Sequence, residues 1–131
     1  MGQKLLPVGL DEPLLVTGAG GFIGTRVVTL LLEYGYRNIR CFARPFRNTD
    51  HLMKLRGANG SNVQVFTGNL LTREDCIKAT EGVPVIYHLA AGKGLKSVPD
   101  AYLNSVVTTR NLIEAALASG KLLRFVNISS F

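Results

Sequence analysis

Eight consecutive residues, Thr17-Gly18-Ala19-Gly20-Gly21-Phe22-Ile23-Gly24, carry the most specific chemical signal in the 131-residue chain. Gly18, Gly21 and Gly24 fall at the spacing G-x-x-G-x-x-G. Gly18 permits a tight turn, Gly21 removes a Cβ where a pyrophosphate must approach, and Gly24 lets a helix pack closely on a preceding strand. The N–H groups of Phe22 and Ile23 would then face an anion at the positive end of the helix dipole. Glycines also gather in ordinary turns, so the pattern carries weight only if a strand enters it and a helix leaves it.

A second signal is one of charge. From Tyr34 through Thr49 there is no acidic residue, while Arg37, Arg40, Arg44 and Arg47 are all cationic. An arginine at a strand end beside a phosphate-binding loop can grip phosphate through two parallel hydrogen bonds. The alternative is a solvated basic rim. By contrast, Cys41, Cys76, His51 and His88 stand apart, without a CxxC pair or a second histidine at ligand spacing. No disulfide framework and no metal site is expected from them. His88 lies in an apolar run and reads as a packed core histidine, Cys41 as a strand cysteine and Cys76 as a helix cysteine.

The elements needed to position these residues are present. Leu14–Thr17 reads as a short strand ending at the glycine cluster, and Phe22 to about Gly35 has apolar residues at helical spacing with Gly35 as its stop. Asn38–Ala43 is a second strand, closed by Pro45, and Asn48–Leu55 a short helix capped by Asn48 or Thr49. Asn62–Thr67 alternates as a third strand, and Thr72 caps a helix to about Thr80. Val83–Leu89 is near-continuously apolar, as expected of a strand buried on both faces. Ser97 with Asp100 resembles a capping box that opens a long helix to about Ser119, and Leu122–Ser129 forms a fifth strand. Such alternation predicts an open parallel α/β sheet with right-handed crossovers.

Within this frame the chain resembles the extended short-chain dehydrogenase/reductase family, the group of nucleotide-sugar epimerases, dehydratases and ketoreductases. TGAGGFIG matches its TGxxGFxG loop. Asn69-Leu70 follows the third strand, where the family usually has Asp-Leu or Asp-Val beside the adenine. His88-Leu89-Ala90-Ala91 resembles its HxAA segment, Asn104 and Asn111 match its long helix, and Phe125–Ser130 matches the strand that ends in the catalytic Ser or Thr. The resemblance runs from about residue 14 to residue 131. It implies a Rossmann-type sheet in the order 3-2-1-4-5 with helices on both faces.

The same resemblance assigns roles. Thr17, Gly18, Gly21, Phe22, Ile23, Gly24, Arg44, Asn69, Leu70, Ala90 and Ala91 would bind the dinucleotide, and Ser130 and Asn104 would serve catalysis. Ser130 would hold a substrate carbonyl or hydroxyl, and Asn104 a proton-relaying water; Ser129 would point to the opposite face. Asn104, Thr108 and Asn111 could equally form a mere polar stripe. Lys93 and Lys96 read as solvated loop charges. Without an acid at the end of the second strand, and with Arg44 there, NADP is favoured over NAD, although Gly20 supplies no basic residue inside the loop. Asn69 in place of the usual acid still exchanges hydrogen bonds with adenine, without charge assistance.

The family's Tyr-x-x-x-Lys pair occurs nowhere in this sequence: Tyr34, Tyr36, Tyr87 and Tyr102 are followed four residues later by Asn38, Arg40, Ala91 and Val106. Residues 1–131 therefore read as a single, truncated dinucleotide-binding domain lacking the substrate lobe. The expected function is the cofactor-binding portion of an epimerase, dehydratase or ketoreductase acting on a small molecule, a nucleotide-sugar or another carbonyl or alcohol; the alternative is a non-catalytic redox-sensing or scaffold module. A net charge of +6 suits an anionic partner, but the scattered cations form no nucleic-acid motif. No signal-peptide core or membrane-length apolar run appears, so a soluble cytoplasmic protein is expected. A fifth strand without a neighbour would leave an open edge and favour self-association.

Overall fold

The computed structural model describes residues 5–57, 60–91 and 97–128. Its five strands, β1 (Leu14–Thr17), β2 (Asn38–Ala43), β3 (Asn62–Thr67), β4 (Val85–His88) and β5 (Arg124–Asn127), form one sheet in the order β3-β2-β1-β4-β5. All four pairings are parallel. The expected topology is thus the observed one. Register places Thr17 opposite both Phe42 and His88, so β1, β2 and β4 end at one level and open their loops on the same edge. In an open parallel sheet that carboxyl edge, where strand order reverses, is where a ligand crevice forms.

Period-two alternation divides β1 between two cores. Leu14 and Val16 face one side with Val28, Leu31, Ile39, Cys41 and Val63, beneath helix α1 (Phe22–Glu33). Leu15 faces the other with Phe42 and Ile86, beneath α3 (Arg73–Thr80) and α5 (Thr108–Ala118), which contribute Cys76, Ala79, Leu112 and Ala116. Every residue of β1 is buried, which is why it lacks the polar alternation of a half-exposed strand. Burial pushes the Cys41 thiol up to about 12 and the Cys76 thiol up to about 11, so both are inert packing residues.

Several boundaries differ from expectation. The strand expected over Val83–Leu89 is regular only at Val85–His88, and that expected over Leu122–Ser129 only at Arg124–Asn127. The short helix expected from Asn48 contracts to α2 (Asp50–Met53), with the Asn48 Oδ1 accepting from the Asp50 N–H. Thr72 occupies the N-cap of α3 without a side-chain bond. Helix α1 ends as Gly35 predicts: Gly35 has φ +95°, and the Gly35 and Tyr36 N–H groups bond to the Leu32 and Leu31 carbonyls. The opening segment also contributes to the fold, since Leu6 and Val8 are buried and the Leu6 N–H donates to the Tyr36 hydroxyl at 2.8 Å.

The long helix is the principal departure. It starts as α4 (Val98–Tyr102), where Ser97 Oγ accepts from the Asp100 N–H at 3.1 Å, and continues into α5 only through a π-turn at Leu103–Val107. There the Thr108 N–H bonds back to the Leu103 carbonyl, one residue further than in an α-helix. Heptad-like reading cannot see such an insertion, because the apolar residues on either side keep their local spacing. No helix among the described residues is long and apolar enough to cross a membrane.

Candidate functional site

The glycine loop leaves β1 at Thr17, and its three motif glycines are constrained by different neighbours. Gly18 has φ +65°, and a Cβ there would lie 2.9 Å from the Ala90 N, so β4's exit passes directly over it. A Cβ on Gly24 would sit 2.0 Å from the Gly18 carbonyl oxygen; the helix can rest on the loop only because it is absent. Gly21 is different. A Cβ there would meet only the Gly18 oxygen, at 3.4 Å, so internal packing does not demand glycine. Among the described residues no other atom lies within 4 Å of that Cβ position, so the space beside Gly21 is open.

Helix α1 starts without a side-chain cap and without an acidic residue in its first turn, and Phe22 and Ile23 are exposed. The first N–H groups of any helix lack intrahelical acceptors and together carry the positive end of its dipole, so these are suited to an anion. The loop is braced from behind by Thr25, whose Oγ1 lies 2.7 Å from the Gly21 carbonyl oxygen and 3.0 Å from His51 Nε2 on α2.

Of the four arginines, sequence singles out Arg44 alone; structure also separates the other three. Arg37 makes a bidentate pair with Asp11, at 2.9 and 2.8 Å. Arg40 Nη1 donates to the Ala79 and Glu81 carbonyls at 2.6 and 3.1 Å, capping the C-terminal end of α3. Both are committed to the scaffold. Arg44 and Arg47 instead follow β2 in a turn closed by the Arg47 N–H on the Arg44 carbonyl, at the edge shared with the glycine loop. Arg44 Nη2 donates to Asn104 Oδ1 at 3.2 Å. The Arg47 chain lies over Gly20, its Cγ 3.4 Å from where a Cβ would stand. Arg47 was not singled out from sequence; the signal available was its position in the Arg-Pro turn that follows the strand. Between them, Phe46 is fully exposed at φ +65°, a conformation that a bulky residue holds only under strain.

The adenine-side candidates split. Asn69 is exposed, its Oδ1 accepting from the Leu71 N–H at 2.9 Å and its own N–H donating to Asp75 Oδ2 at 2.8 Å. One oxygen lone pair and the amide N–H groups of its side chain are left for a ligand. Leu70 is buried in the second core, so its side chain packs inward, and its carbonyl accepts from Asn111 Nδ2 at 3.1 Å. Ala90 and Ala91 lie at β4's exit beside Gly18, half-buried and exposed respectively. Ser130, Ser129, Lys93 and Lys96 lie outside the described residues.

Asn104, Thr108 and Asn111 do not form the single polar stripe that straight helical spacing would give. Asn104 Nδ2 donates to the Asp100 carbonyl and carboxylate at 3.0 and 3.1 Å. Thr108 is buried with its hydroxyl unpaired, and Asn111 braces the loop after β3. The π-turn rotates what precedes it by one residue, about 100° in helical terms, which separates Asn104 from the other two. His88 is buried as expected but is not merely packed. Its Nδ1 lies 2.7 Å from Thr17 Oγ1 and its Nε2 2.8 Å from Thr109 Oγ1, with the Phe125 ring tilted against it. Burial pushes its pKa down to about 4, so near neutral pH it is an uncharged imidazole.

Comparison with known proteins agrees with this geometry. Residues 14–131 match the family described as NAD dependent epimerase/dehydratase. A Mycobacterium tuberculosis 3 beta-hydroxysteroid dehydrogenase/Delta 5→4-isomerase is 32% identical over 99% of this chain and 34% of its own length. An uncharacterized membrane protein of Methanocaldococcus jannaschii is 32% identical over 92% of this chain and 36% of its own. The structure of an Agrobacterium tumefaciens short-chain dehydrogenase/reductase superfamily protein with bound NAD is 31% identical, with a TM-score of 0.69, over 90% of this chain and 32% of that one. The chain thus spans about a third of the length of the relatives it matches. A nicotinamide dinucleotide is the cofactor these likenesses indicate. With its sheet order, its glycine loop and this match over residues 14–131, the chain belongs to the NAD dependent epimerase/dehydratase family.

Proposed function

We propose that this chain is the NADP(H)-binding portion of an oxidoreductase of the epimerase, dehydratase or ketoreductase kind, whose substrate is a small carbonyl or alcohol compound. The observation that carries the choice of NADP is the sorting of the arginines. Arg37 and Arg40 are tied to the scaffold, whereas Arg44 and Arg47 stand at the β2 exit beside the glycine loop. With no carboxylate between Tyr34 and Thr49 to accept ribose hydroxyls, a 2′-phosphate is the group that this edge complements. The NAD in the Agrobacterium structure belongs to that protein and does not set the choice here.

In this reading the bound nicotinamide supplies hydride transfer. The chain's own residues bind and orient: the Phe22 and Ile23 N–H groups hold the pyrophosphate, Gly21 leaves it room, Asn69 meets the adenine, and Ala90 and Ala91 leave space beside the nicotinamide ribose. Asn104 and Ser130 would orient substrate and water. No residue of this sequence matches the family's proton-transferring Tyr-x-x-x-Lys pair, so the chain by itself should bind without turnover. Calorimetric titration tests the assignment. NADPH should bind at least about tenfold more tightly than NADH, as for one charge-assisted contact. Equal affinities, or a preference for NADH, would overturn it.

A further inference from the structure

The hydrogen bonds around His88 can be given a direction by counting protons. Thr17 Oγ1 accepts from the Leu89 N–H at 3.1 Å and the Ala90 N–H at 3.2 Å, which fills both of its lone pairs. Its single proton must therefore go to the His88 Nδ1, 2.7 Å away. With Nδ1 an acceptor, the neutral ring carries its proton on Nε2 and donates to Thr109 Oγ1 at 2.8 Å. Thr109 in turn donates to the Ser105 carbonyl, inside the π-turn. The chain runs one way, from the backbone of Leu89 and Ala90 through Thr17, His88 and Thr109 to Ser105.

Its two ends are the parts of the molecule that the functional reading needs aligned. One end is β4's exit, where Ala90 packs over Gly18. The other is the π-turn, which contains Asn104 and whose extra residue sets the rotation of Asn104 relative to α5. An α-helix would turn Asn104 about 100° away from its present direction relative to α5. The π-turn is thus held at a chosen place by a rigid, buried imidazole rather than left to slide along the helix.

We propose that His88, held as the neutral Nε2–H tautomer, is a positioning residue that couples β4's exit beside the glycine loop to the π-turn carrying Asn104. The value of the coupling to catalysis rests on the cofactor and site reading above; the coupling itself does not. His88 is 1% exposed, and its two ring nitrogens bond to Thr17 and Thr109, through which it acts.

Nuclear magnetic resonance on the free chain tests this. At neutral pH the His88 ring should show a protonated Nε2 and a bare Nδ1. Thr109→Val, which removes the hydroxyl with little change of shape, should shift the Asn104 side-chain amide resonances and leave the amides of Gly18, Gly21 and Gly24 in place. Thr109→Ser should restore the parent spectrum at Asn104. Thr17→Val should speed amide exchange at Leu89 and Ala90 by about tenfold, as for one lost hydrogen bond. A ring protonated on Nδ1, or an Asn104 signal indifferent to Thr109→Val, would overturn the proposal. Because no dinucleotide is present, a failure of NADPH to bind would count against the cofactor reading alone.

Discussion

Acid should destabilise this fold through the buried His88 ring. The ring is 1% exposed, and burial lowers its pKa from 6.5 to about 4. A base whose pKa is depressed on folding favours the native state only while it is neutral. Its contribution is complete above pH 6.5, the unfolded value, and is lost as pH falls toward about 4, because the unfolded chain binds a proton that the folded one refuses. A difference of that size corresponds to about 3 kcal/mol in all, with a slope of at most about 1.4 kcal/mol per pH unit inside the window. Against a total stability of about 5–15 kcal/mol for such a domain, that is a large fraction. Urea unfolding followed by circular dichroism, at intervals from neutral pH down to about 4.5, measures it. His88→Gln removes the titration while keeping a polar side chain, and His51 and every carboxylate remain in both proteins. The variant should begin less stable and fall less steeply. If its stability declines between pH 6.5 and 5 as steeply as the parent's, the buried neutral imidazole is not the cause and the hydrogen-bond assignment fails with it.

Three further outcomes are expected. Arg44→Ala, and separately Arg47→Ala, should weaken NADPH by about 1.5–3 kcal/mol and hardly change NADH, whereas Arg40→Met should lower stability and leave both affinities alone; calorimetry and urea unfolding together distinguish these effects. Gly24→Ala, with its Cβ 2.0 Å from the Gly18 oxygen, should cost about 3 kcal/mol or more of stability, while Gly21→Ala should cost about 1 kcal/mol or less and still abolish dinucleotide binding. Sedimentation at rising concentration should show self-association through the β5 side, where Leu123 and Ile128 are exposed; a concentration-independent monomer would refute it.

Local rules carried most of the architecture. The strand, glycine loop and helix from Leu14 to Glu33 are legible because chain-neighbouring residues set the period, the turn and the helix start. The same holds for Ser97 as a cap, for Gly35 as a stop and for the acid-free stretch after α1. Strand order followed from alternation and crossover handedness, with the family resemblance choosing among the orders these allow. Tertiary structure alone decided the rest, and the reason is common to each case: the deciding partner is remote in sequence. Arg40 is a helix cap because the end of α3 comes to rest beside β2, and Leu70 is core because α5 and its Asn111 cover the loop after β3. His88 is more than packing because Thr17 and Thr109 arrive on opposite sides of its ring. The π-turn has no sequence signature at all, since it adds a residue without breaking the apolar pattern; its surroundings, the core face of α5 and the His88–Thr109–Ser105 bonds, come from segments remote in sequence.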